Sequence, residues 1–93
     1  MPTRKAEPGS SVRYSLLISE EAREQLRALQ KPVRRNIGQR LDALQNSLSG
    51  DVKKLTAREH KYRLRVGPYR VLFQLEGSNI FVYAVKHRKE AYE

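Results

Sequence analysis

The chain has 93 residues, with 19 Lys or Arg against 10 Asp or Glu and a formal net charge of +9. This length allows one small domain and excludes a deep, enclosed active site, while the absence of cysteine excludes disulfides and thiolate metal sites and is typical of a cytoplasmic protein. The excess of positive charge predicts a polyanionic partner, and no apolar run is long enough to span a membrane.

The N-terminal half predicts a tail, a strand and two helices. Residues 1–11 have no apolar periodicity and predict a disordered tail, which leaves a single domain over residues 12–93. Apolar residues alternate over 12–18, as in a strand, and Ser19 follows as a helix N-cap. Pro32 begins a second helix that we expect to stop at Gly50, and its apolar stripe contains Val33, Ile37, Leu41, Leu44 and Leu48.

The C-terminal half changes to the period of two that is typical of strands. Runs over 61–66, 69–76 and 80–86 are separated by two short turns, at Gly67-Pro68 and at 77–79, and therefore predict hairpins. The fold class is thus α+β: an N-terminal strand, then an antiparallel helical hairpin packed on a sheet. A three-stranded antiparallel meander completes the sheet, and a short C-terminal helix follows.

The alternation over 61–66 separates apolar from cationic side chains. Tyr62, Leu64 and Val66 share one face, so Lys61, Arg63 and Arg65 point away from the core. The same argument places Arg70 on the open face, and Arg88 follows the last strand toward the same region. Such a cluster of guanidinium groups is suited to bind a phosphate and to stabilise the charge of its transition state. The alternative is a set of solvated charges that discourage aggregation.

Two histidines and a tyrosine complete the candidates for chemistry. His60 and His87 lie far apart without acidic partners, so we expect no zinc site and no other cofactor. His87 is a candidate acid or base because histidine is the side chain most often used for that role, although a lone surface histidine is more often a bystander. Tyr92 either packs the C-terminal helix or stacks on a base and moves a proton.

Two segments together resemble a known family. The sequence YRLRVGPYRVLF over 62–73 and the sequence VKHRKEAY over 85–92 resemble the RelE branch of the RelE/ParE toxin superfamily, and the resemblance covers residues 12–93. It implies a RelE-like fold and an endoribonuclease that cuts messenger RNA in the ribosomal A site. The implied nucleophile is the 2′-hydroxyl, without a metal.

The resemblance also implies roles for individual residues. Arg70 and Arg88 match arginines that bind the scissile phosphate, and Tyr92 resembles a C-terminal tyrosine that engages the A-site nucleotide, although the best-known member has a longer gap before that tyrosine. Arg63 and Arg65 match positions that are often lysine in the family. Because arginine stays protonated, neither is a general base. The remaining candidates for base or RNA contact are a ribosomal group, Tyr92, Lys61, Lys86 and His87.

The resemblance implies partners as well. A cytoplasmic toxin of this family acts on the ribosome and messenger RNA, is inhibited by a cognate antitoxin and joins it in a complex on operator DNA. Two alternatives stay open: a ParE-like inhibitor of DNA gyrase, and a non-catalytic RNA-binding or co-repressor member. The gyrase branch usually lacks the set of Arg70, Arg88 and Tyr92.

Overall fold

The computed structural model describes residues 13–56 and 59–89. The tail predicted over residues 1–11, Tyr92 and most of the segment predicted as a short C-terminal helix lie outside these ranges, and His87 at the start of that segment ends β5. The elements in chain order are β1 (Ser15–Ile18), α1 (Glu20–Arg27), α2 (Lys31–Leu44), β2 (Asp51–Thr56), β3 (Lys61–Val66), β4 (Tyr69–Glu76) and β5 (Asn79–His87). The α+β prediction is confirmed. Neither helix of the described ranges is long and apolar enough to cross a membrane.

The five strands form one sheet in the order β1-β5-β4-β3-β2. The first strand is parallel to β5, whereas β2 to β5 form an antiparallel meander. The buried residues of α1 and α2 join the inward side chains of the strands in one core, in which Ile37, Leu64 and Phe73 are fully buried. The helices therefore cover one face of the sheet, and the other face is open for a site.

Both helices begin as the sequence predicts, but α2 ends early. The Ser19 hydroxyl accepts a hydrogen bond from the Ala22 N–H at 3.0 Å, and Pro32 lies in the first turn of α2. The predicted extension of α2 through Leu48 to Gly50 is wrong. Its end is fixed by pairing with the chain ahead of β1, because the Tyr14 N–H donates to the Gln45 carbonyl oxygen at 2.8 Å. Leu48 still packs on the core, but with a left-handed φ of 56°.

The meander has four strands rather than the three predicted. The additional strand, β2, was missed because Lys53 and Lys54 interrupt its apolar alternation. A β-bulge between Lys54 and Thr56 further shortens the regular pairing with β3. Lysines and a bulge on an edge strand discourage pairing with other chains, which accounts for the atypical sequence.

Helix α1 closes the edge of β5 beyond the point where β1 ends. The Ser19 N–H donates to the Val82 carbonyl oxygen at 2.9 Å. The side chain of Gln25 reaches further along the same edge, and its Oε1 accepts from the Val85 N–H at 2.6 Å. These contacts satisfy backbone groups that would otherwise be unpaired, so α1 is fixed against the sheet on the helical side.

Candidate nucleic-acid interface

The strand register brings three cations together on the open face. Arg65 of β3 lies directly opposite Arg70 of β4, which lies opposite Lys86 of β5. Directly opposed side chains in a sheet have Cβ atoms about 5 Å apart, and like charges at that distance destabilise the pair. We call Arg65, Arg70 and Lys86 the cationic row. Asp51 of β2 stands at its end, opposite Arg65.

A second line of side chains crosses the same face beside the cationic row. Lys53, Arg63, Leu72 and Ala84 are paired in succession from β2 to β5. Leu72 and Ala84 are only 8% and 4% exposed although they face away from the helices. They form an apolar floor next to the cations, which lowers the local dielectric constant and strengthens the attraction of an anion.

Arg63 is held in place by Asp51. Its Nη1 lies 3.7 Å from the Asp51 Oδ1, and the Arg63 side chain is 13% exposed whereas that of Asp51 is 58% exposed. The same Nη1 also donates to the Asp51 carbonyl oxygen at 3.5 Å. Arg63 is thus an oriented guanidinium whose position depends on the strand that the sequence did not reveal.

Arg88 lies at the same end of the sheet as the cationic row. Its N–H donates to the Pro68 carbonyl oxygen in the β3–β4 turn at 2.7 Å, and the residue is exposed. The backbone therefore brings Arg88 beside the turn that separates Arg65 from Arg70. The predicted grouping of four arginines on one face is compatible with this placement.

The side chain of His87, a predicted candidate for base or RNA contact, lies on the other side of the sheet from the cationic row. Because Lys86 points to the open face, the alternation of β5 turns His87 toward the helices. There its ring meets the edge of Tyr69 with 5.2 Å between centroids. His87 lines a cavity of about 370 Å³, which also involves Gln25, Ala28, Leu29, Tyr69 and Val85.

Lys61 shares the open face but cannot readily accept a proton. Its Nζ lies 3.0 Å from the Glu59 Oε1. The hydrogen bond to this carboxylate and its negative charge raise the pKa of Lys61 above the ordinary value. Lys61 therefore stays protonated at neutral pH and contributes charge rather than a base. Among the described residues, no group of three His, Cys, Asp or Glu side chains is placed to hold a metal ion.

Sequence reasoning missed four residues of this face: Asp51, Lys53, Phe81 and Tyr83. The first two lie on β2, which was not predicted. The outward direction of Phe81 follows from its position between the buried Ile80 and Val82. No sequence signal reveals Tyr83, because it reaches the open face through a β-bulge in β5.

Comparisons with known proteins match most of the residues that the structure describes. Residues 16–92 match the family described as ParE toxin of type II toxin–antitoxin system, parDE. Toxin RelE3 of Methanocaldococcus jannaschii is 40% identical over 48 residues, which are 52% of this chain and 54% of that protein. The chain thus spans about half the length of this curated relative.

Two archaeal crystal structures are similar over nearly the whole described fold. The RelB–RelE antitoxin–toxin complex from Methanococcus jannaschii contains a chain with 30% sequence identity and a TM-score of 0.70, and the match covers 82% of this chain and 94% of that one. The RelE–RelB complex from Pyrococcus horikoshii gives 26% identity and a TM-score of 0.73, with 85% and 99% covered.

Proposed function

The chain belongs to the RelE/ParE family of type II toxin–antitoxin toxins as a RelE-type member, and on that premise we propose that it is an endoribonuclease that cuts messenger RNA on the ribosome. The observation that carries the proposal is the cationic row of Arg65, Arg70 and Lys86 in direct cross-strand register. A phosphate placed at this row can accept charge-assisted hydrogen bonds from more than one of its side chains.

The proposed reaction is an attack by the ribose 2′-hydroxyl on the neighbouring phosphorus. The new bond from O2′ forms as the bond to the 5′-oxygen of the next nucleotide breaks, which leaves a 2′,3′-cyclic phosphate and a 5′-hydroxyl. The cationic row and Arg88 hold the phosphate. Arg63, oriented by Asp51, stabilises the additional negative charge of the pentacovalent transition state. No metal takes part in the proposed reaction.

This face offers few candidates for the group that accepts the proton of the 2′-hydroxyl. Arginines stay protonated, the pKa of Lys61 is raised, and His87 faces the helices. The remaining candidates are Tyr92, Lys86 and a group of the ribosome. A site with so few bases depends on positioning, and a ribosome that holds the RNA in an in-line geometry supplies a large part of the rate.

We also propose a cognate antitoxin as the protein partner. The two archaeal relatives described above are complexes of RelE with RelB. A net charge of +9 favours an acidic toxin-binding segment, and an operator-bound toxin–antitoxin complex extends the same proposal. Because the relatives with 30% and 40% identity are RelE toxins, we favour RNA cleavage over gyrase inhibition.

The chemistry is tested with a messenger RNA that carries one 2′-deoxyribose at the cleaved nucleotide. Ribosomes programmed with the all-ribose RNA should yield fragments ending in a cyclic phosphate and a 5′-hydroxyl. The deoxy-substituted RNA should stay intact at that position, because the nucleophile is missing. Cleavage of both RNAs at the same rate, or a 5′-phosphate on the product, would contradict 2′-hydroxyl attack.

A further inference from the structure

The open face carries an aromatic surface that phosphate binding does not use. Phe81 lies in direct register with Gln74, which lies opposite Lys61. Its flanking residues Ile80 and Val82 are buried, whereas Phe81 is 40% exposed. On its other side Phe81 is paired with Leu17 of β1, which is 64% exposed. An apolar ring is thus presented to solvent on a face otherwise rich in cations.

Tyr83 extends this surface toward the cations. In the β4–β5 pairing Leu72 lies opposite Ala84 and Phe73 lies opposite Val82, so Tyr83 is the extra residue of a bulge. The Lys61 Nζ lies 5.5 Å from the centroid of its ring, which places the half-buried ring on the open face. We call Phe81 and Tyr83 the aromatic platform.

The aromatic platform and the cationic row are carried by the same strand. Because of the bulge, Phe81 and Lys86 lie opposite Gln74 and Arg70, which are four residues or about 13 Å apart along β4, and Tyr83 lies between them. Phe81 and Tyr83 are therefore too far away to touch a phosphate on the cationic row. They are near enough to contact the bases of neighbouring nucleotides.

From this arrangement we propose that Phe81 and Tyr83 bind unpaired bases of the RNA strand whose phosphate lies on the cationic row. The inference rests on the proposed function and assigns it a base-binding surface. Aromatic rings on an open sheet, flanked by cations that follow the backbone, bind single-stranded nucleic acid by stacking on bases of any sequence. The amide of Gln74 beside Phe81 supplies donors and an acceptor for a base edge.

Charge favours RNA over an apolar protein segment as the occupant. Lys61 lies over the Tyr83 ring. Arg63 and Lys53 are paired with each other in the next cross-strand line of the open face. Lys61 is paired with Glu59 and Arg63 with Asp51, and an apolar segment would desolvate these ion pairs together with Lys53, which is costly. An RNA strand supplies a phosphate for each nucleotide and a base for each ring.

The test measures the affinity of short single-stranded oligonucleotides by fluorescence anisotropy. One probe is a 2′-O-methyl RNA, which cannot be cleaved by 2′-hydroxyl attack, and the other has the same length and charge but no bases. Phe81→Leu and Tyr83→Leu should bind the base-containing probe at least about fivefold more weakly and the abasic probe unchanged. Phe81→Tyr and Tyr83→Phe keep an aromatic face and should bind as wild type, while thermal unfolding verifies that each variant is folded.

The Arg70→Ala variant distinguishes a failure of this proposal from a failure of the proposed function. Loss of a phosphate contact should lower the affinity for both probes by the same factor. If the leucine variants bound the base-containing probe as tightly as wild type while Arg70→Ala bound it weakly, the aromatic platform would be refuted and the nuclease proposal would stand. If wild type bound neither probe, the aromatic platform would be refuted, whereas the nuclease proposal would still be decided by cleavage of messenger RNA on ribosomes. Leucine variants that lost only antitoxin binding would identify a protein-docking surface and overturn the proposal.

Discussion

Arg70→Ala is expected to cleave ribosome-bound messenger RNA at least about 100-fold more slowly than the wild-type protein. Arg70 occupies the middle of the cationic row, between Arg65 on one strand and Lys86 on the other. In the proposed reaction its guanidinium donates two hydrogen bonds to one phosphate, and loss of a single donor to a developing charge typically costs a factor of 100 to 1,000, or about 3 to 4 kcal/mol. Single-turnover cleavage of a defined messenger RNA measures the effect.

The matched control is Arg35→Ala, which removes the same charge from an exposed position of α2 on the opposite side of the sheet. We expect its rate within about threefold of wild type, since a distant surface charge contributes only a screened attraction. The cleavage rate of Arg70→Lys should lie between those of Arg70→Ala and wild type, because lysine keeps the charge but lacks the planar fork. A folded Arg70→Ala protein with the wild-type rate would contradict the assignment.

The largest expected change in stability follows from Phe73→Ala, which should lower the free energy of unfolding by about 3 to 5 kcal/mol. Phe73 is fully buried, and its ring stacks on Tyr62 with 5.6 Å between centroids. It lies on β4, the central strand, so the cavity opens beneath both the helices and the cationic row. Small domains are stable by only about 5 to 15 kcal/mol, so the variant should be close to unfolding at physiological temperature.

Phe81→Ala is the matched control for stability, because it is the same substitution in the only other phenylalanine of the chain. Phe81 is 40% exposed and contributes little to the core, so we expect a loss of less than about 1 kcal/mol. Urea unfolding followed by circular dichroism compares the two variants. Equal losses of unfolding free energy in the two variants would contradict the assignment of one sheet face to the core and of the other to the open surface.

The division of β3 into two faces could be predicted because its alternation is strict over six residues. The two-residue turn at Gly67-Pro68, where Gly67 has a φ of 58°, then fixes the register that brings Arg65 opposite Arg70. Ser19 was also predictable, since an N-cap is a local signal. Local patterns were therefore sufficient for the central part of the cationic row.

The positions of the other residues on the open face depend on contacts between segments that are distant in the sequence. The partner of Arg63 is Asp51, on a strand whose lysines hide its periodicity. The direction of Tyr83 depends on a bulge, and no residue type in β5 marks that position. The end of α2 is fixed by Tyr14, about thirty residues earlier, so the apolar stripe predicted the burial of Leu48 correctly and its helical conformation incorrectly.

The most direct test of the central claim is cleavage of one messenger RNA by the purified wild-type protein in the presence and in the absence of ribosomes. We predict cuts confined to the codon in the ribosomal A site and, at the same protein concentration, negligible cleavage of the free RNA. Intact RNA on ribosomes, or equal cleavage of free and ribosome-bound RNA at many positions, would contradict the assignment of this cationic face to a ribosome-dependent endoribonuclease.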